Sequence, residues 1–243
     1  GDDLYSNVFD KAAALFHSLM FNHAFIDGNK RTTIVSTSRF LSLNGFELDE
    51  AYKTSFMRTL DIIERQVALN IPISTFFVMS PGLRNTPQAE FLMNKFAEFL
   101  EKEKVRHLFN ENKIKVSVLG KWYDLPQHVV GAIRKIGEET KDYDSFFVNF
   151  CVNYDGQDEI LDAFKLIGRQ IKAGKLDPDL LKKEMIKENL YSSYFIPPDL
   201  IIRNGVHKRL SSLLLWDSPG ARIVFSEKMF PELSVEEFEE LLT

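Results

Sequence analysis

The sequence predicts an α/β protein: a mostly parallel sheet flanked by helices, preceded by a small all-α segment. Three observations carry this reading. From about residue 55 onward, short apolar runs alternate with stretches of helical periodicity, the pattern of right-handed crossover units. The first fifty residues show helical spacing alone, with no proline to interrupt it. The composition, 44% hydrophobic and 27% charged over 243 residues, is that of a globular chain and excludes disordered, collagen-like and coiled-coil classes. The pattern divides the chain into residues 1–50 and 51–243.

The elements follow in order. Val8, Ala12, Leu15, Phe16 and Leu19 recur at helical spacing, and the polar turn Asp27-Gly28-Asn29 ends that pattern. A second periodic stretch runs from about Thr32 to Leu43 and stops at Asn44-Gly45, a helix-ending pair. A third helix is predicted over about Glu50 to Ala68. Ile73 to Met79, bounded by Pro72 and Pro81-Gly82, reads as a buried strand. A helix from Ala89 to about Lys104 follows, then a strand over Ile114–Leu119 and a helix around Gln127 to Thr140. Phe146 to Asn153 reads as a strand, and about Glu159 to Lys172 as a helix. A short helix, strands at Leu200–Ile202 and Ala221–Phe225, and an acidic helix from Val235 complete the chain.

Charge and cysteine content narrow the function classes. Thirty Lys and Arg against 35 Asp and Glu give a net charge of -5, which argues against a general nucleic-acid binder. One cysteine, Cys151, forms no internal disulfide, and no Cys/His cluster has zinc spacing. The polar, acidic start is unlike a signal peptide, and no apolar run approaches a bilayer span. The expectation is a cytoplasmic protein without a transmembrane segment, peripheral to a membrane only through a lipid substrate.

Two clusters carry chemistry. The first is His23-Ala-Phe-Ile-Asp27-Gly28-Asn29-Lys30-Arg31. If the turn opens a helix, its free N–H groups suit a phosphate. Asp27 suits magnesium held between phosphates, and Lys30 and Arg31 suit phosphate charge. His23 suits proton abstraction from an attacking hydroxyl. On the residues alone, a plain helix-loop-helix with a solvated turn stays open. The second cluster, Arg203, Arg209 and Ser211, follows the strand Leu200–Ile202. Ligands gather beyond the carboxyl ends of parallel strands, and two arginines with a hydroxyl suit a diphosphate. Two surface arginines on a loop remain the alternative.

The stretch Leu4 to Leu48 resembles the core of the Fic/Doc family, and residues 23–31 match its H-x-F-x-D-G-N-K-R motif at every fixed position. The resemblance implies that His23 is the general base for transfer of a nucleotide or phosphate group to a hydroxyl of a target protein. Phe25 would anchor the loop, Asp27 bind magnesium, and Gly28, Asn29, Lys30 and Arg31 hold the phosphates of ATP or another nucleotide. Lys30 is similar to the Doc branch, associated with phosphorylation. The helices and target-docking hairpin that precede this core in the family have no counterpart here.

From about residue 55, the chain is similar to the cis-prenyltransferases, the undecaprenyl diphosphate synthase family. The matches include Leu60-Asp-Ile-Ile63, Phe91-Leu-Met-Asn94, Asn149 to Tyr154, Asp158-Glu-Ile160, Pro198-Asp-Leu200, Arg209-Leu-Ser211 and Leu214-Leu-Trp216. The resemblance implies magnesium-dependent addition of isopentenyl units to an isoprenyl diphosphate, with Arg203, Arg209 and Ser211 holding the diphosphate, in a homodimer. Departures are also visible. The R-T-S-G-E-Q-R run reads Arg203-Asn-Gly-Val-His-Lys-Arg209, Asp155 and Gln157 replace Gly and Arg, and Leu83 and Thr86 replace Asn and Arg. The metal-binding Glu falls at Arg222, where a cation beside magnesium would be repelled by several kcal/mol. The expectation is therefore isoprenyl diphosphate binding with little or no elongation. Two alternatives stand beside it: an active synthase with Asp27 as its metal ligand, since that family also requires Asp-Gly-Asn before a basic residue and Arg, and a non-catalytic partner subunit. Asp217 is a further candidate to replace the missing Glu.

Overall fold

In the computed structural model, residues 49–83, 86–205 and 208–242 are described, together with helical positions 11, 12, 14, 15 and 18. The chain forms two compact units, residues 1–54 and 55–243. Of the first unit, positions 11, 12, 14, 15 and 18 are helical, with Ala12 buried and Ser18 exposed. The His23–Arg31 cluster lies outside the described residues.

Seven helices and five strands are described: α1 (Asp49–Ala68), β1 (Ile73–Met79), α2 (Pro87–Glu101), α3 (Glu103–Glu111), β2 (Ile114–Leu119), α4 (Gln127–Glu139), β3 (Phe146–Val152), α5 (Gly156–Lys172), α6 (Lys183–Lys187), β4 (Leu200–Asn204), β5 (Arg222–Ser226) and α7 (Val235–Leu242). The larger unit is thus α/β, with parallel strands and flanking helices. Among the described residues the strands fall into two parallel ladders, β1-β3-β2 and β4-β5, where the sequence suggests one sheet. Side chains, not a hydrogen-bonded ladder, link β1 to β4: Phe76 and Ile202 both pack on the cluster of Ile62, Leu233 and Phe238.

The strand in the middle explains the core. β3 is buried from Val148 to Val152, as an apolar strand must be when both faces are covered. Phe150 meets Phe96 edge-on at 5.2 Å and Phe76 at 5.8 Å, while Phe56 stacks on Phe99 at 5.2 Å. Each such ring contributes about 1.5–3 kcal/mol through burial.

Helix α2 starts at Thr86, whose Oγ1 accepts from the Ala89 N–H at 3.2 Å, with Pro87 in the first turn. The position where the family carries Arg is here an N-cap. The helix expected to continue to Lys104 instead breaks at Lys102 (ψ 131°), and α3 follows at once. No Pro or Gly marks that break. It is set by packing, since the new direction buries Val105 and Phe109 and lets Arg106 fork onto Glu139 at 2.6 and 3.0 Å. No helix among the described residues is long and apolar enough to cross a membrane.

Parallel pairing brings the carboxyl ends of β1, β2 and β3 together, and three bonds lock them. The Tyr154 N–H donates to the Met79 carbonyl at 3.1 Å, the Lys121 N–H to the Asn153 carbonyl at 3.1 Å, and Asn153 Nδ2 to the Lys121 carbonyl at 2.8 Å. Gly120 is required there. Its φ is +108°, and a Cβ would lie 2.5 Å from the Val152 carbonyl oxygen.

Candidate functional site

The sequence-predicted cations lie near the carboxyl end of β4, with Arg203 in the strand itself and Arg209 after it. Arg203 is partly buried, and its Nε donates to the Arg209 carbonyl at 3.3 Å. Burial, and then the Arg209 guanidinium, lower the Arg203 pKa from its ordinary value. Two like charges held this close favour an anion between them. Neither arginine has a carboxylate partner within salt-bridge distance among the described residues. Ser211 follows, exposed and in the left-handed region at φ +59°. The arrangement offers two guanidinium forks and a hydroxyl to phosphate oxygens.

A buried polar network fixes the chain just beyond Ser211. The Gly156 N–H, at the start of α5, donates to the Ser212 carbonyl at 2.9 Å. The Leu214 N–H donates to Tyr154 Oη at 3.2 Å, and that hydroxyl donates to Glu159 Oε2 at 2.5 Å. The other oxygen, Glu159 Oε1, accepts from the Ser192 N–H at 2.9 Å. Ser192 Oγ donates to Asp217 Oδ2 at 2.7 Å, and Lys187 Nζ reaches the same oxygen at 2.5 Å. Tyr154, Glu159, Ser192 and Asp217 are all buried. Burial raises the Glu159 pKa against the opposing hydrogen bonds from Tyr154 and Ser192. Burial and then the Glu159 charge raise that of the Tyr154 hydroxyl.

Arg222 and Asp217 have partners of their own. The parallel register pairs Leu200 with Arg222 and Arg203 with Phe225, so the two arginines lie at opposite ends of the ladder, roughly 10 Å apart along the strands. Arg222 Nη2 instead donates to the Leu241 carbonyl at 2.9 Å in the last turn of α7, where a cation suits the helix end. Asp217 is no replacement metal ligand, because its carboxylate is buried and neutralised by Lys187. Asp155, where the family has Gly, caps α5 by accepting from the Gln157 N–H at 2.8 Å.

No group of three His, Cys, Asp or Glu among the described residues is placed to hold a metal. Asp27, His23 and Gly28 to Arg31 are outside those residues. The network around Glu159 was missed in the sequence, although a signal existed. Glu159, Ala163 and Ile167 recur every fourth residue on the buried face of α5, and an acid on such a face demands partners.

Comparison with known proteins sets this geometry in context. The family profile described as putative undecaprenyl diphosphate synthase matches residues 26–243. The Fic/DOC family profile matches residues 2–41, so both cover 26–41, the stretch that holds Asp27 to Arg31. A tritrans,polycis-undecaprenyl-diphosphate synthase (geranylgeranyl-diphosphate specific) from Thermoplasma acidophilum is 31% identical over 218 residues, covering 87% of this chain and 80% of that protein. The lavandulyl diphosphate synthase of Lavandula x intermedia, solved in complex with dimethylallyl diphosphate, superposes with a TM-score of 0.78 at 25% identity over 84% of this chain and 88% of that one. A probable undecaprenyl diphosphate synthase from Campylobacter jejuni gives a TM-score of 0.66 at 29% identity, covering 78% and 87%.

Proposed function

This chain belongs to the undecaprenyl diphosphate synthase family of prenyltransferases, and on that premise we propose that residues 55–243 bind an isoprenyl diphosphate through Arg203, Arg209 and Ser211. The observation that carries the reading is the pair of guanidinium groups without a carboxylate partner at the carboxyl end of β4. The reaction class is transfer of an isopentenyl unit to an allylic diphosphate with magnesium. Elongation by this chain is slow, because Asn204 to Lys208 replace the hydroxyls and acid that the family motif carries. The protein acts as a homodimer, which light scattering at micromolar concentration checks, and works in the cytoplasm beside the membrane that receives its lipid product.

Titration calorimetry with isopentenyl diphosphate tests the binding site. Each of Arg203→Ala and Arg209→Ala removes a charge-assisted bond and is expected to weaken binding by about tenfold or more. Affinity unchanged by both substitutions refutes the site.

The overlap of two family profiles on 26–41 supports a second reading for the amino-terminal cluster. In it, His23 is the base and Asp27 with Gly28 to Arg31 the magnesium–nucleotide loop of a Fic/Doc-like transfer to a protein hydroxyl. If instead Asp27 serves the prenyltransferase, it supplies the carboxylate for magnesium. The two uses separate in one assay. Under the first, His23→Ala abolishes ATP-dependent modification of protein and leaves incorporation of labelled isopentenyl diphosphate into farnesyl or geranylgeranyl diphosphate intact. Under the second, Asp27→Ala abolishes incorporation and His23→Ala does not.

A further inference from the structure

We propose that Tyr154 is a positioning residue for the diphosphate cluster: its hydroxyl holds the left-handed turn 211–214 that carries Ser211. This rests on the diphosphate reading above. Two non-glycine residues in four, Ser211 at φ +59° and Leu214 at φ +46°, adopt the left-handed conformation, which side chains disfavour. Such a turn does not hold itself. Two bonds from one place hold it: the Gly156 N–H to the Ser212 carbonyl, and the Leu214 N–H to Tyr154 Oη.

Tyr154 is well placed for that task. It lies immediately after β3, its ring sits in the cluster of Leu119, Cys151, Ile201, Leu213 and Leu214, and it has no exposed surface. Its hydroxyl hydrogen is committed to Glu159, so the oxygen lone pair is aimed at the Leu214 N–H. Glu159 is fixed in turn by the Ser192 N–H, and Ser192 by Asp217, which closes the far end of the same segment. The Tyr154 phenol oxygen is therefore the side-chain tie of the Ser211 segment to the end of β3, beside the backbone bond from Gly156. Loss of that oxygen frees Leu214 and lets the left-handed turn relax, which moves Ser211 while leaving the charges of Arg203 and Arg209 in place.

The test is titration calorimetry of the full chain with inorganic pyrophosphate and with isopentenyl diphosphate. Tyr154→Phe deletes one oxygen and keeps the ring. Thr140→Val is the control, because Thr140 is a buried hydroxyl of similar standing that bonds the Ile136 carbonyl and the Val116 N–H. Tyr154→Phe is expected to weaken both ligands about five- to tenfold, and Thr140→Val to stay within about twofold. Gly156→Ala, which pushes on the same turn through Ser212, loses affinity by at least as much. Hydrogen exchange gives an independent reading: amides 212–214 exchange faster in Tyr154→Phe, while those of β3 stay protected. Wild-type affinity in Tyr154→Phe, or equal loss in Thr140→Val, overturns the positioning role alone. Failure of the wild-type chain to bind either ligand overturns the diphosphate reading beneath it.

Discussion

Adding one methyl group at Gly156 should destabilise this protein, although the same change in an exposed helix stabilises it. A Cβ at Gly156 would lie 2.3 Å from the Ser212 carbonyl oxygen and 2.9 Å from Leu215 Cγ. The first of these is backbone and cannot rotate away. Relief requires the 211–215 segment to withdraw, which breaks the 2.9 Å bond from the Gly156 N–H. Overpacking of this kind costs about 1–3 kcal/mol and a lost hydrogen bond about 1, offset by about 0.5 of helix propensity at this first helical position, for a net cost of about 1.5–3.5 kcal/mol. For a chain of this length, that lowers the melting midpoint by about 3–14 °C. Gly131, exposed in α4 with nothing within 4 Å of its Cβ position, is the matched comparison. Gly131→Ala should gain about 0.8–1 kcal/mol, or about 2–4 °C. Thermal unfolding followed by circular dichroism reads both. A Gly156→Ala protein that melts at or above the wild type refutes the close contact between α5 and the site-bearing turn.

Three further outcomes follow from the charges and the thiol. Lys187→Met leaves Asp217 buried without its cation and should cost about 3–5 kcal/mol in urea unfolding near neutral pH; a loss under about 1 would show that Ser192 alone satisfies the carboxylate. For Asp162, burial opposes ionisation, but Lys165, Tyr191 and Lys121 outweigh it and hold its pKa at about 2. Its folded pKa is thus below the unfolded value of about 3.9, so its contribution is complete above that value and is lost as pH falls toward about 2. Asp162→Asn should flatten the acid limb of stability in that window, as read by urea midpoints across a pH series. Cys151 is fully buried, and burial followed by the Glu159 charge pushes its thiol pKa far up. A disulfide reagent in mildly alkaline buffer should leave it unmodified in the native protein and titrate it fully in guanidinium; rapid native reaction would mean that β3 opens readily.

The sequence alone determined the strands best where local chemistry punctuates them. Pro72 and Pro81 bracket β1, and its span, Ile73–Met79, is legible from composition. The same holds for β2, a run of alternating Ile, Val and Leu that needs no partner to be recognised. Arg203, Arg209 and Ser211 were legible as a cluster because they follow a strand end closely and fit a family pattern. Tertiary structure decided what depends on distant partners. Nothing local ends α2 at Glu101; the break is set by where Val105 and Phe109 find the core. Strand register sets Arg222 opposite Leu200 and Phe225 opposite Arg203, a pairing that no local signal in either strand announces. The bonds from Leu214 to Tyr154, Ser192 to Glu159 and Ser192 to Asp217 join residues 60, 33 and 25 positions apart. Periodicity places such groups on a buried face but does not pair them. Each pairing exists only because the fold brings the residue after β3, the first turn of α5 and the segments before β4 and β5 together, where buried polar groups must satisfy one another.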